Sequence, residues 1–556
     1  MRGKMKTRKM FFNLAAVAVM LFGAVIQSEA KVIKAASCQF TDVSNAVSQA
    51  SPGDVVQLPP GTNSWGETLN LTNISLIGSG TNSTVLIDEE NRSGAPGTSP
   101  QMINFHCSSG YFLEIAAIQF DPGVTNTGVN FYGAIDVYES AGSTWRIDNN
   151  VFNALDAKGI VSVGNGMGLI DHNTFYETEI SVSDNGYVPG DIGGDISWAS
   201  PPTYGTQSGT NCLYMEDNFI TNTENYVASV GACDGNTGAR MVFRYNTVWN
   251  DLFNNHGTET EGRERSERSF EIYDNTFNAT FGIYAASMLR GGSGVLFSNT
   301  INGPYGGLAA LRTYRYTCSY YNEWDPFAGA NGLSPFDSND PTLYLTGTSA
   351  APNNSTYLQV SGANWTPNQW YGYTVINTTS GIFSVITANT ANIIYFIGSS
   401  PTNVGVTPCT PLTFNQNDGF QIRRVYAALD QIGRGSGQIL EDLGLGTNGQ
   451  DLGWGTNGIL LTINTSTGIP SWPNEALEGV YAWGNTMNGA PAGLMSYYPT
   501  LQENRDFYNT PKPGYTPLVY PHPLQSQTYF TNSPYSTPPT NGLQPPSNLH
   551  TILGNP

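Results

Sequence analysis

The sequence predicts an all-β solenoid made of short stacked coils. Three observations predict it. A phrase of the form apolar-x-x-Asn-polar-apolar recurs through the middle of the chain, as in Ile170-Asp171-His172-Asn173-Thr174-Phe175. Counted from Asn150, it returns at Asn173, Asn218, Asn246, Asn275 and Asn299, in steps of 23, 45, 28, 29 and 24 residues. A period of this size marks repeats that stack on one another. The flanks are β-formers, such as Phe270-Glu271-Ile272-Tyr273 before Asn275. Composition agrees. The 556 residues hold 62 Gly, 33 Pro and 54 Asn but only 12% charged residues, about half the usual share of roughly 25%. Helical bundles need more Ala, Glu, Lys and Leu, and 39% apolar residues are too many for a disordered chain.

The elements follow in order. Residues 1–30 read as a secretory signal peptide. Arg2, Lys4, Lys6, Arg8 and Lys9 precede an apolar run from Met10 to Ile26, and Ser28-Glu29-Ala30 offers small residues for cleavage. No second run of that length follows, so no membrane span is expected after its removal. Cleavage takes the net charge from −20 to −24, because five basic residues and Glu29 leave. A chain this acidic is not expected to bind nucleic acid. It suits a secreted or cell-surface protein. Six cysteines, Cys38, Cys107, Cys212, Cys233, Cys318 and Cys409, allow three disulfides or buried thiols.

Asp42 to Ala50 reads as a short amphipathic helix. Ser51-Pro52-Gly53-Asp54 turns the chain, and Leu69 to Leu71, Ile74 to Gly80 and Thr84 to Asp88 read as strands. Asn suits the bends between strands because it tolerates left-handed backbone angles, and stacked Asn side chains can bond from coil to coil. Coils run through residues 31–337. From 338 to 424 the phrase is absent, and runs such as Tyr373-Thr374-Val375-Ile376 point to a small all-β insertion. Its Trp365, Trp370, Tyr371 and Tyr373 form either a core or a sugar-stacking surface. The phrase resumes at Asn485 within C-terminal coils assigned to 425–501. A Pro-rich tail, 502–556, wraps the C-terminal coils or stays mobile.

The helix, the Pro-Gly-Asp turn and the coil repeat together resemble right-handed parallel β-helix proteins of the pectate-lyase-like superfamily. The resemblance covers roughly Phe40 to Asp88, and Gln101 to Gly307 through the repeat. It implies a right-handed parallel β-helix with an N-terminal capping helix.

Chemistry concentrates in one region. Arg240, Arg244, Arg263, Arg265, Arg268, Arg290, Arg312 and Arg315 are eight of the 18 basic residues outside the signal segment. Arg240 lies six residues before Asn246, Arg268 seven before Asn275 and Arg290 nine before Asn299. If the Asn residues stack, these three form a cationic stripe on successive coils about 4.8 Å apart. The Arg fork binds carboxylate through two oxygens, so the expected partner is an acidic polysaccharide. Salt bridges to Glu259, Glu261, Glu264, Glu267 and Glu271 would make the cluster structural instead.

Many proteins of the resembled superfamily are polysaccharide lyases, which offset the uronate carboxylate with Ca²⁺ or a basic side chain and remove the C5 proton with a base, often Arg. Outside the signal segment the only lysines are Lys31, Lys34, Lys158 and Lys512, none within the cluster. On that resemblance Arg265 or Arg268 is the candidate base, His256 the other base or proton donor, and Arg240, Arg263 and Arg290 bind substrate. Asp184, Asp191 and Asp195 are candidate Ca²⁺ ligands in a Gly-rich loop. Two other functions remain open: a glycoside hydrolase using two of Glu259, Glu261, Glu271 and Asp274, and a non-catalytic, glycan-binding or structural surface β-helix.

Overall fold

The computed structural model describes residues 30–90, 100–123, 133–140, 142–164, 168–184, 204–205, 212–223, 231–236, 239–255, 267–311, 342–352, 354–396, 412–423, 462–464, 469–471, 478–496 and 501–529. The signal segment falls outside them, apart from Ala30. Among the described residues no helix is long and apolar enough to cross a membrane.

The chain forms a right-handed parallel β-helix. Sheet A has twelve strands, all parallel, one per coil. Its central strands are Thr144–Asp148, Gly168–Asp171, Leu213–Glu216, Arg240–Arg244, Ser269–Tyr273 and Ser293–Phe297. Sheet B has eighteen strands and receives most coils at two passages, with Val151–Gly164 and Thr174–Asp184 each covering both as one long strand. The first passage includes Thr247–Trp249, Thr276–Asn278 and Thr300–Asn302; the second includes Cys233–Asn236, Phe253–Asn255 and Ser287–Leu289.

The interior explains why the coils stack. Ile147, Ile170, Met215, Phe243, Ile272, Leu296 and Ala482 occupy one register row of sheet A and are all buried. Phe120, Phe152 and Phe175 stack in sheet B with centroids 4.9 Å apart. Each fully buried side chain of this size contributes about 1.5–3 kcal/mol.

The asparagine repeat is a hydrogen-bonded ladder. Asn150, Asn173, Asn218, Asn246, Asn275, Asn299 and Asn485 are all buried. Each Nδ2 donates to the Oδ1 of the next, at 3.1, 3.2, 3.0, 3.1, 3.0 and 2.9 Å. Each backbone N–H donates to that same Oδ1. The left-handed backbone angle, expected at the Asn, falls one residue earlier: on Asn149, His172, Asp217, Tyr245, Asp274, Ser298 and Gly484. The Asn is selected for its buried amide, not for its backbone freedom.

A helix at Phe40–Ser48 caps the first coil, burying Val43 and Ala46. It begins two residues earlier than the sequence pattern indicates. Beyond Phe297 the next strand of sheet A is Val480–Trp483, and Asn299 bonds to Asn485 across the gap. Between these two strands stands a separate six-stranded antiparallel sheet, from Leu345–Thr348 to Gly419–Arg423. It has its own core, in which Trp370 is buried and Trp365 and Tyr373 pack against it. Tyr371 alone of the four aromatics is well exposed.

The tail takes a path the sequence did not indicate. From Tyr515 to Tyr529 it runs back along the outer face of sheet A. Tyr515 packs on Phe297 and Trp483, while Tyr529 reaches Phe112 on the coil of Phe112–Ala116. Cys38, Cys107, Cys212 and Cys233 are free, buried thiols; Cys318 and Cys409 lie outside the described residues.

Candidate functional site

Strand pairing decides where the arginines go. Arg240 pairs with Ser269, and Ser269 with Ser293. Those serines lie six residues before their ladder asparagines, as Arg240 does. Arg268 therefore sits one residue ahead of the row and Arg290 three ahead. The expected stripe does not form. Arg240 is half-buried in sheet A, and Arg268 is buried just before the strand Ser269–Tyr273. Arg290 lies at the corner between sheet B and the turn into sheet A. Arg244, not chosen as a binding residue, is wholly buried with Nε 2.6 Å from Glu216.

The corner around Arg290 is the best-organised polar site outside the tail-covered face. Asn254 and Asn255, in the strand Phe253–Asn255, hold the guanidinium. Its Nε donates to the Asn255 carbonyl at 2.6 Å and its NH2 group to Asn254 Oδ1 at 3.3 Å. The Arg290 backbone N–H donates to Asn255 Oδ1 at 2.6 Å. Asn255 Nδ2 then donates to Glu267 Oε2 at 2.7 Å. Asn255 and Glu267 flank residues 256–266 in sequence, so this bond joins the two positions on either side of them. Those residues include His256, Arg263 and Arg265, which lie outside the described residues. The corner thus ties one fixed cation to the residue that precedes the segment holding the other candidates.

Glu267 brings a carboxyl group to this corner. Burial pushes it well above the usual carboxylate range, against the bond from Asn255, and nearby Asp234 adds to the rise. At the other end of the strand Phe253–Asn255, burial likewise raises Asp251, helped by the charge of Glu179. The Asp251 oxygens accept from Leu252 N and Asn222 Nδ2 at 2.8 and 2.7 Å. Burial, with Glu267 and Asp234, also pushes the Cys233 thiol up.

The expected Ca²⁺ set is not assembled by the described structure. Asp184 ends the strand Thr174–Asp184, while Asp191 and Asp195 lie outside the described residues. Among the described residues no group of three or more His, Cys, Asp or Glu is placed to hold a metal ion. Of the hydrolase candidates, Glu271 and Asp274 lie among the described residues. Glu271 is buried on the sheet A face, bonded to Tyr515 and Gly205. Asp274 occupies a left-handed turn beside the ladder. Glu259 and Glu261 are outside the described residues.

Sequence reasoning missed a second charged cluster, on the outer face of sheet A. Asp148, Asp171, Glu216 and Arg244 form one row, continued by Tyr273, Phe297 and Trp483. Each lies two residues before its ladder asparagine, so the repeat itself held the signal. Arg146 chelates Asp171 with two 2.7 Å bonds. Burial works to raise Asp171, but Arg146 outweighs it and holds Asp171 low, whereas burial wins at Asp148 and Glu114 and raises both.

No family model and no curated protein matches the chain. Among solved structures, it is similar to an alginate lyase from Paenibacillus sp. strain FPU-7 at 12% identity and a TM-score of 0.30, over 50% of this chain and 99% of that one. It is similar to a pectin methylesterase from Erwinia chrysanthemi at 9% and 0.24, over 50% and 79%. A third is an exopolygalacturonase from Yersinia enterocolitica at 10% and 0.24, over 51% and 75%. At these TM-scores the likeness carries no argument, and the fold rests on the strand pairing described above.

Proposed function

We propose that the protein acts outside the cell, secreted or at its surface, on an acidic polysaccharide that it cleaves by β-elimination at the Arg290 corner. The observation that carries this reading is the clamp of Asn254 and Asn255 around Arg290, with Asn255 bonded in turn to Glu267. It fixes a half-buried guanidinium next to Asn255, which in sequence immediately precedes the segment 256–266 with His256, Arg263 and Arg265. A positioned guanidinium matches a uronate carboxylate. Offsetting that charge acidifies the C5 proton. A base from residues 256–266 removes it, the C4–O bond breaks with its electron pair on the leaving oxygen, and a C4–C5 double bond remains. The leaving oxygen takes up a proton, for which His256 is the donor candidate when Arg265 is the base. Arg268 is buried, which leaves Arg265 and His256 as the base candidates. Ca²⁺ enters only as an arm of the assay.

The test is ultraviolet absorbance of unsaturated uronate after incubation with a panel of uronate polysaccharides, with and without Ca²⁺. A rise that Arg265→Ala or His256→Ala abolishes supports the reading. No rise on any substrate removes it. A non-catalytic surface role is the second reading. It is favoured by one observation: the outer face of sheet A is closed by the chain's own tail.

A further inference from the structure

We propose that the segment Tyr515–Tyr529 is a pH-set strap, which stays closed over the outer face of sheet A in acid and opens as the pH rises through neutrality. The geometry is that of a segment held mainly through carboxyl groups. At Glu216, the His522 backbone N–H and the Gln525 side chain donate to Oε1 at 2.7 and 2.8 Å. At Glu114, Thr528 Oγ1 and the Tyr529 N–H donate at 2.7 Å each. At Glu271, the Tyr515 hydroxyl donates. The strap returns four carbonyl acceptors: Arg244 donates to Leu518 and Val519 at 2.8 and 3.2 Å, and Arg146 to Gln527 and Gln525 at 3.1 and 3.4 Å. These contacts alternate along five coils, so the strap binds as a series of separate clips with no strand pairing to lock it.

Glu216 is the pivotal clip. From sheet A it faces Arg244, with Nε at 2.6 Å, and Asp171 one coil away. Asp217 stands beside it in the turn, bonded to Tyr520 and Gln525 of the strap at 2.7 and 2.8 Å. The His522 ring packs on Tyr214, and the Arg244 guanidinium lies against Tyr214, Tyr245, Tyr273 and Tyr520. Arg244 is the cation bonded to Glu216 at this clip, whereas Asp171 is held by Arg146.

The sign follows from burial. Burial raises Glu216 from 4.5 to about 7, against the pull of Arg244 and the His522 N–H. Opening the strap lets water reach the group and returns it toward its ordinary value. The closed state binds the proton more tightly, so it is favoured below pH 4.5 and loses that advantage as pH passes 7. Through Glu216 alone, the opening equilibrium shifts by up to about 300-fold across that window. Glu114 and Glu271, which burial also raises, add in the same direction.

The experiment is hydrogen exchange on the full chain, expressed as protection factors, from below pH 4.5 to above pH 7. The amides of His522 and Tyr529 should lose protection at the high end, while those of Ser269–Tyr273 and Ser293–Phe297 keep theirs. Glu216→Gln keeps an acceptor and cannot ionise, so it should flatten the step. Gln525→Ala, which leaves sheet A untouched, should move the step to lower pH and carries the test if Glu216→Gln does not fold. Protection of the strap that is flat with pH overturns the proposal. So does joint loss of strap and sheet, or a step that neither variant moves.

Discussion

Replacing Asn246 by alanine isolates what one rung of the asparagine ladder contributes. Its Oδ1 accepts from Asn218 N and Asn218 Nδ2, both at 3.0 Å, and its Nδ2 donates to the Met215 carbonyl at 2.9 Å and to Asn275 Oδ1 at 3.1 Å. Not all partners are stranded by the change. Asn275 Oδ1 keeps the Asn246 backbone N–H at 2.9 Å, and Asn218 Nδ2 keeps the Ile170 carbonyl at 2.9 Å. The Asn218 N–H and the Met215 carbonyl lose the ladder bond in a buried position. Each buried orphan costs about 1–3 kcal/mol, so the expected loss is about 4 kcal/mol. Asn302→Ala supplies the control. Its Nδ2 bonds to Asn278 Oδ1 at 3.0 Å, with the same chemistry, but in an exposed place. Water replaces that bond, and the expected loss is below about 0.5 kcal/mol. Urea denaturation gives both numbers. Amide protection should place the first loss in the coils of Leu213–Glu216 and Arg240–Arg244, because each coil touches only its neighbours. Equal losses for the two variants, or less than about 1 kcal/mol for Asn246→Ala, would refute the reasoning.

Three further outcomes are expected. Cys38, Cys107, Cys212 and Cys233 should resist alkylation in the native protein and react after denaturation, since all four are buried; mass spectrometry reads the adducts, and rapid native labelling would contradict it. Arg290→Lys should weaken polysaccharide binding at least about tenfold, because an ammonium cannot reproduce the fork that bonds both the Asn255 carbonyl and Asn254; an unchanged titration would show that the corner does not bind substrate. Glu216, raised from 4.5 to about 7, should contribute stability of about 3 kcal/mol that is present below pH 4.5 and gone above 7; denaturation of the wild type and Glu216→Gln at the two pH extremes measures the difference.

The ladder was legible in the sequence because its residue cannot be replaced without stranding buried backbone groups, so the same amide recurs in every coil. The strands flanking it were legible for the related reason that one face of each must be apolar. The arginine stripe was misread because counting back from the asparagine assumes that each turn enters its strand at the same point. Arg268 and Arg290 fall in turns of different length, and a shift of one residue is enough to change the face a side chain takes. The charged row under the tail was present as the residue two before each ladder asparagine. It stayed hidden because Asp, Glu, Arg, Tyr, Phe and Trp share no chemistry that a repeat search would collect. What unites them is the strap above, and its path is set by contacts with coils some 300 to 400 residues away in sequence, such as Tyr520 to Asp217 and Thr528 to Glu114. No local pattern encodes contacts of that range.

The central claim is that the Arg290 corner serves a uronate polysaccharide. Its most direct test is the ultraviolet absorbance of the protein incubated with uronate polymers, run beside Arg290→Ala. The account expects absorbance to rise with the wild type and to fall at least about a hundredfold in rate with the variant. Equal rates in both would contradict it, as would no rise with any polymer.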